Sequence, residues 1–458
     1  MTDRYMVRPL KAGEYIKVSV PGSKSITNRA LLLATMGDGT CTLNGVLFSG
    51  DSIAFLSCLK ELGFTLKINE DDKTIIIDGT CGRVPNRKSA INVGSAGTAA
   101  RFLTVFLAFA GGSYTLNASE QMCSRPMEPL ISVLRKAGIC ITCLNEEGHF
   151  PFTLDSNGIN TSVITVDTSV SSQFASAILM AAPLLKNGLT VNLTGSRTGG
   201  AYIDITLKMM EQFGYGYTRN GDTITVPGSG NLIRKNTAAE PYRNKQACTS
   251  ESGEKSTRIY NIEPDVSAAG YFYAMSPICN KKVQVNGVHL NSMQGDIKFI
   301  RALENLGCRI TEDEDGIILN PPVNRTYNGI DIDMNDFSDQ TMTMAVVAAY
   351  AGSPTTIHNV GHIRCQESDR LNAIVNELNR LGCICRPVED DTGIYIEPSP
   401  MHGADIETYE DHRIAMAFSL AGLRTPKVTI LNPGCCSKTF EDYFSVLDSL
   451  CEPLQETS

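Results

Sequence analysis

A helix that ends in a small apolar cluster and a glycine, ahead of a strand, recurs five times along this chain. It is seen at Leu59-Lys60-Glu61-Leu62-Gly63, Leu134-Arg135-Lys136-Ala137-Gly138 and Met210-Glu211-Gln212-Phe213-Gly214, then at Leu303-Glu304-Asn305-Leu306-Gly307 and Leu378-Asn379-Arg380-Leu381-Gly382. A glycine just past each helix is the expected C-cap. Successive glycines are 75, 76, 93 and 75 residues apart. A second pattern is a helix that starts on Ser, Gly or Asp and runs on in Ala, Met and Phe. It occurs at Ser23-Lys24-Ser25, Ser95-Ala96-Gly97-Thr98, Ser171-Ser172-Gln173, Val266-Ser267-Ala268, Ser338-Asp339-Gln340 and Asp411-His412-Arg413. From Ser23 to Ser95, Ser171, Ser267, Ser338 and Asp411 the steps are 72, 76, 96, 71 and 73 residues. Both markers give one period with the same long interval, and so predict six repeats of two helices and several short strands.

Strands are predicted where β-branched residues alternate or cluster: Ile16 to Val20, Thr74 to Ile77, Ser162 to Val166, Thr223 to Val226, Val283 to Val285, Ile317 to Leu319 and Val428 to Leu431. The class is mixed α/β. The long interval falls on 229–257, a polar stretch rich in Asn, Lys, Ser, Thr and Glu that is expected to be a surface insertion. It lies near mid-chain, so three repeats per domain is the natural division. A chain of 458 residues is also too long for one ordinary core.

Composition narrows the function. The 42% apolar and 19% charged content is that of a globular protein. A net charge of −9 argues against a nucleic-acid surface, without excluding a local cationic site. Met1 to Leu10 has two arginines and no apolar core, unlike a signal peptide, and no run is long enough to span a bilayer. The expectation is a cytoplasmic, monomeric protein with no membrane partner. Its 15 cysteines are then expected to be reduced and mostly buried.

The helix starts carry the candidate chemistry. After the Pro21-Gly22 turn, Ser23 is the expected N-cap, and Lys24, Ser25 and Arg29 stand near the positive end of a helix, an arrangement suited to phosphate. The other starts add Gly97, Thr98 and Arg101; Ser171, Ser172 and Gln173; Ser267; Asp339; and Asp411, His412 and Arg413. Between them lie Arg125, Gln366-Glu367-Ser368-Asp369-Arg370 and Ser437-Lys438. If equivalent ends pack together, these residues make a strongly cationic cleft for substrates bearing phosphate and carboxylate. Competing motifs fail. Lys24 lacks the earlier glycine of a P-loop, and there is no GxGxxG or GxSxG. Cys140 and Cys143 form the only CxxC and have no partner pair, so a buried strand thiol is expected. His358 and His362 stand four apart in a segment that does not look helical, so no metal site is expected.

Pro21-Gly22-Ser23-Lys24-Ser25-Ile26-Thr27-Asn28-Arg29-Ala30 resembles the N-terminal signature of the 5-enolpyruvylshikimate 3-phosphate synthase family. Ser95 to Arg101, Ser169 to Phe174, Tyr202 to Thr206, Glu367 to Leu371 and Asp411 to Met416 are similar to its other signatures. The resemblance covers nearly the whole chain apart from the insertion. It implies an inverse α/β barrel fold of two hinged domains, each of three β-α-β-α-β-β units, at 22–261 and at 1–21 plus 262–458. It also implies an active site in the cleft. The split of the candidate cations across both halves points, separately, to closure on substrate. The implied reaction moves the enolpyruvyl group of phosphoenolpyruvate to the 5-hydroxyl of shikimate 3-phosphate and releases phosphate, with no metal or organic cofactor. Lys24, Gly97, Arg125, Gln173, Arg370, Arg413 and Lys438 would form the phosphoenolpyruvate site. Lys24, Ser25, Arg29, Ser171, Ser172, Gln173, Tyr202, Asp339 and Gln366 would form the shikimate 3-phosphate site. Lys24, Asp339, Glu367, His412 and Lys438 would be catalytic, with the two carboxylates moving protons. Gly97 leaves room for glyphosate to compete.

Three positions depart from the family pattern. Gln366 stands where a Lys is usual, His362 where Asn is usual and Gly199 where Ser is expected. Loss of a full charge beside an anion is worth about 1.5–3 kcal/mol. A sister transferase with another hydroxyl acceptor, or an inactive homologue that binds phosphoenolpyruvate, therefore stand as alternatives.

Overall fold

The computed structural model describes residues 3–13, 15–169, 171–195, 198–228 and 257–453. All of the expected insertion at 229–257 except Thr257 lies outside the described residues. The chain forms two compact units, one of Gly22–Ile262 and one of Met1–Pro21 with Glu263–Ser458.

The first unit is organised by three helices that are apolar on every side. Lys24–Met36, Gly97–Ala110 and Ser172–Ala181 bury nearly every residue, and the Gly97–Ala110 helix packs against both others or their neighbours. A helix without a polar face has to be enclosed, and three four-stranded sheets enclose these. Each sheet follows one scheme. Lys88–Asn92 runs parallel to Gly112–Asn117, which pairs antiparallel with Phe152–Ser156, and Cys140–Cys143 forms the edge. Val163–Asp167, Leu189–Thr194, Thr223–Val226 and Thr218–Asn220 repeat it. In the third sheet the parallel partner of Thr40–Asn44 is Thr257–Asn261, from the far end of the unit. The unit thus closes on itself.

The second unit uses the same scheme in two four-stranded sheets, with a third sheet of three strands, around Val266–Cys279, Thr341–Ala348 and His412–Gly422, all three of them in mutual contact. Here the N-terminal segment completes two sheets. Tyr15–Val18 is the parallel partner of Lys282–Val285, and Arg4–Met6 pairs antiparallel with Thr429–Leu431. The outer helices, among them Glu128–Lys136, Ile297–Asn305 and Arg370–Arg380, bury one face only. Among the described residues no helix is long and apolar enough to cross a membrane.

The repeat glycines share one conformation. Gly63, Gly138, Gly214, Gly307 and Gly382 have φ of 86°, 96°, 86°, 95° and 94°, a region that costs an L side chain strain. The predicted strands form, with Tyr15–Val18 ending two residues short of Val20. Two local expectations are corrected. Ser23 is at the N-cap position, but its side chain makes no capping hydrogen bond; it is buried instead. Of the fourteen cysteines among the described residues only seven are buried, and Cys140 is exposed because strand alternation turns it outward.

Gly22 is required by close approach. A Cβ there would lie 1.9 Å from the Gly45 carbonyl oxygen and 3.2 Å from Ile262 Cγ2. Gly22→Ala is expected to cost about 1–3 kcal/mol, seen in thermal unfolding as a fall of roughly 2–4 °C per kcal/mol in a unit of this size. Gly50→Ala, whose Cβ meets nothing within 4 Å, should not lower the midpoint.

Candidate active site

In the Gly22–Ile262 unit, side chains from the helix starts meet at one end. Asn28 Nδ2 donates to Thr98 Oγ1 at 2.6 Å, joining the first turns of two central helices. Arg101 Nη1 donates to the Gly97 carbonyl at 3.0 Å and to Gln173 Oε1 at 3.1 Å, joining the second to the third. A Cβ on Gly97 would lie 2.5 Å from Arg101 Nη1 and 2.9 Å from Arg125 Nη1, so Gly97, Arg101, Arg125 and Gln173 form one cluster with two guanidinium groups on a bare glycine. Ser171 Oγ accepts from the Gln173 N–H and caps its helix, with Ser172 buried beside it. Lys24 Nζ is 3.6 Å from Asp51 Oδ2.

Arg29 sits differently from expectation. It is buried, and its nitrogens donate to Thr206 Oγ1, the Ser25 carbonyl, Ser176 Oγ and the Tyr202 carbonyl. Its guanidinium also stacks over the Phe102 and Tyr202 rings, 5.3 and 5.8 Å from their centroids. Burial lowers its pKa to about 10, which leaves it charged at neutral pH. Arg29 is therefore the pin between three helices, and Tyr202 is one of the walls around it.

In the other unit a second cluster is built on Arg370, 1% exposed. Its Nε donates to Asp411 Oδ2 at 2.7 Å, its Nη2 to Glu367 Oε2 at 2.6 Å and its Nη1 to Asp339 Oδ1 at 3.2 Å, and Gln366 Oε1 accepts from Nη1 as well. Burial alone would lower this guanidinium, but Asp411, Glu367 and Asp339 outweigh it and hold it above its ordinary value. Asp339 also accepts from Arg413 Nη2 at 2.8 Å, and Lys438 Nζ stands 3.7 Å from Glu367 Oε1. His412 is buried with Nδ1 3.9 Å from Asp411 Oδ1. The sequence predicts a strongly cationic cleft; in this unit Arg370, Arg413 and Lys438 each lie against carboxylates, because a buried charge without a partner is far too costly.

Two acidic residues carried no signal in the sequence. Asp51 looks like an ordinary first-turn helix residue, yet it faces Lys24. Asp296 precedes the Ile297–Asn305 helix like an N-cap, but makes no cap bond and accepts from Ser267 Oγ instead. Burial, and then the charge of Asp339, raises its pKa to about 7, against the opposing effects of Arg413 and Ser267. His358 and His362 are separately engaged: His358 Nε2 is 3.0 Å from Asp331 Oδ1, and His362 Nε2 is 2.8 Å from Ser338 Oγ. Among the described residues no group of three or more His, Cys, Asp and Glu is placed to hold a metal ion.

Two measurements probe this cluster. Arg370→Ala leaves the fully buried Asp411 without its guanidinium and should lower stability in urea by about 3–5 kcal/mol. Asp296 has a carboxyl pKa raised on folding, so the folded chain holds the proton more tightly than the unfolded one. Its contribution to stability therefore falls as pH rises from about 4, the ordinary carboxylate value, to about 7 in the folded chain. Asp296→Asn should flatten that part of the stability profile.

The family model described as EPSP synthase (3-phosphoshikimate 1-carboxyvinyltransferase) matches residues 14–243 and 240–447. A 3-phosphoshikimate 1-carboxyvinyltransferase of Trichormus variabilis is 39% identical over 428 residues, covering 93% of this chain and 94% of that protein. One from Neisseria meningitidis serogroup B is 37% identical over 438 residues, covering 95% and 96%. The fold is that of an EPSP synthase structure from Acinetobacter baumannii, with TM-score 0.77, 24% identity and 98% of each chain covered. The chain belongs to the EPSP synthase (3-phosphoshikimate 1-carboxyvinyltransferase) family.

Proposed function

We propose that this chain transfers the enolpyruvyl group of phosphoenolpyruvate to the 5-hydroxyl of shikimate 3-phosphate and releases inorganic phosphate. Relatives named for that activity, matched over nearly their full lengths, support the reading. The observation that carries it on this chain is Asp339, held between Arg370 and Arg413, beside the Glu367–Lys438 pair. Two proton-moving carboxylates among cations suit a reaction between anionic substrates.

The reaction adds a hydroxyl across the enol double bond and then eliminates phosphate. In the first step the substrate oxygen bonds to the carbon bearing the phosphate, the hydroxyl proton leaves to a base, and an acid protonates the methylene. In the second, a methyl proton leaves and the carbon–oxygen bond to phosphate breaks. Asp339 and Glu367 are the carboxylates for these transfers, and Lys438, 3.7 Å from Glu367, can return a proton to it. Lys24, Arg125, Gln173, Arg370, Arg413 and Lys438 bind phosphoenolpyruvate, and Gly97 lets the Arg101 and Arg125 guanidiniums crowd its backbone. Ser25, Arg29, Ser171, Ser172, Tyr202, Asp339 and Gln366 serve shikimate 3-phosphate, Arg29 by fixing the Ser25 backbone. His412, buried beside Asp411, orients that carboxylate's neighbourhood. The reaction needs no metal or organic cofactor.

The departures at Gln366 and His362 have local partners: the Gln366 side-chain oxygen accepts from Arg370 and His362 bonds Ser338. Gly199 has none, since a Cβ there would meet nothing within 4 Å.

The test is phosphate release by purified protein given phosphoenolpyruvate and shikimate 3-phosphate together, against each alone. Release only with both, unchanged by a chelator, is expected. Glu367→Gln and Lys438→Ala should each lower kcat by about 10²–10⁴-fold, the usual worth of general acid–base catalysis. Gly97→Ala should raise KM for phosphoenolpyruvate by displacing Arg101 and Arg125. No release with phosphoenolpyruvate still bound would favour another hydroxyl acceptor or a homologue without turnover.

A further inference from the structure

Two cysteines stand side by side in the turn that carries Lys438. The 3-10 helix Pro433–Lys438 contains Cys435, half-buried, and Cys436, 1% exposed. They are neighbours in the chain, so a single peptide unit joins the two thiol-bearing residues. Cys436 Sγ lies 3.9 Å from the His412 carbonyl, and its own carbonyl accepts from the N–H groups of Thr439 and Phe440 at 3.0 and 2.8 Å. The pair is thus wired on one side to His412 and on the other to the backbone that places Lys438.

We propose that Cys435 and Cys436 are a vicinal dithiol that takes a trivalent arsenical, and that the bridged adduct disables the turn presenting Lys438. Soft thiolate ligands select soft, thiophilic centres. A direct disulfide between adjacent residues would close a small ring across a planar trans peptide, which that peptide resists. Inserting an arsenic atom lengthens the bridge and relieves the ring. With an organoarsenic(III) oxide, two arsenic–sulfur bonds form, the arsenic–oxygen bond is lost, and the oxygen leaves as water with both thiol protons. Arsenic stays trivalent, so no oxidant is needed. Cys435 is the entry thiol. The neighbouring Cys436 thiol holds it below its ordinary pKa against burial, and the thiolate is the attacking form. Cys436 then closes the bridge intramolecularly, at high effective concentration. Closing it rotates Cys436 Sγ away from the His412 carbonyl and strains the turn whose last residue is Lys438.

The test treats the full chain with one equivalent of phenylarsine oxide and maps the adduct by intact and peptide mass. One phenylarsenic group is expected, replacing two thiol hydrogens, on the peptide holding Cys435 and Cys436. Turnover should be lost, then restored by 2,3-dimercaptopropanol but not by 2-mercaptoethanol at equal thiol concentration. Cys435→Ser should abolish both adduct and inhibition, and Cys81→Ser, at an exposed thiol elsewhere, should change neither. An adduct on Cys383 and Cys385 or on Cys140 and Cys143, equal reversal by the monothiol, or an adduct on this pair with turnover intact would overturn the proposal. Only the turnover arm rests on the proposed reaction; the mass mapping tests the dithiol even in a chain that releases no phosphate.

Discussion

Helices with no polar face constrain everything else in this protein. Gly97–Ala110 leaves only Ala110 short of full burial, and Val266–Cys279 hides twelve of its fourteen residues. Such helices have to be walled in, and sheets built to one scheme do so in each unit. The demand also explains why distant segments complete the sheets. Thr257–Asn261 returns to pair with Thr40–Asn44, and the N-terminal strands Arg4–Met6 and Tyr15–Val18 supply the end strands of two sheets in the other unit. The starts of the enclosed helices then come to one end of their unit, where Asn28, Thr98, Arg101 and Gln173 touch.

Charge inside such a core has two uses here. Arg29 is surrounded by hydroxyls, carbonyls and rings, with no carboxylate among the partners seen. It keeps its charge and fixes the helix starts around it. Arg370 is surrounded by three carboxylates and joins Asp339, Glu367 and Asp411 into a single rigid group. The first is a pin and the second a scaffold for acids. The difference matters chemically, because proton transfer needs carboxylates whose orientation is fixed before substrate arrives.

The period and the strands were legible in the sequence because they follow from local rules. The glycines at Gly63, Gly138, Gly214, Gly307 and Gly382 are all in the left-handed region that a C-cap demands. Helix starts were legible to within a few residues, but the identity of the capping group was not. Ser23 does not cap, and Asp265, not Ser267, caps the fourth central helix by accepting from the Ala268 N–H. Capping depends on a side-chain rotamer that packing decides. The residues of the two clusters were legible as residue types at or near helix starts. Their partners were not: Asp51 and Asp296 come from other elements, and sequence spacing says nothing about a contact such as Ser267 to Asp296. The carboxylates that pair with the second unit's cations were not legible for the same reason, since Arg370 and Asp411 are 41 residues apart.

The central claim is that carboxylates of this chain move protons on and off the methylene carbon of an enol substrate during addition and elimination. The most direct test is the isotope content of the product formed in deuterium oxide from phosphoenolpyruvate and shikimate 3-phosphate. Protonation to a methyl group followed by loss of a proton predicts deuterium in the enolpyruvyl methylene of the product. A product whose methylene carries no deuterium would contradict the account.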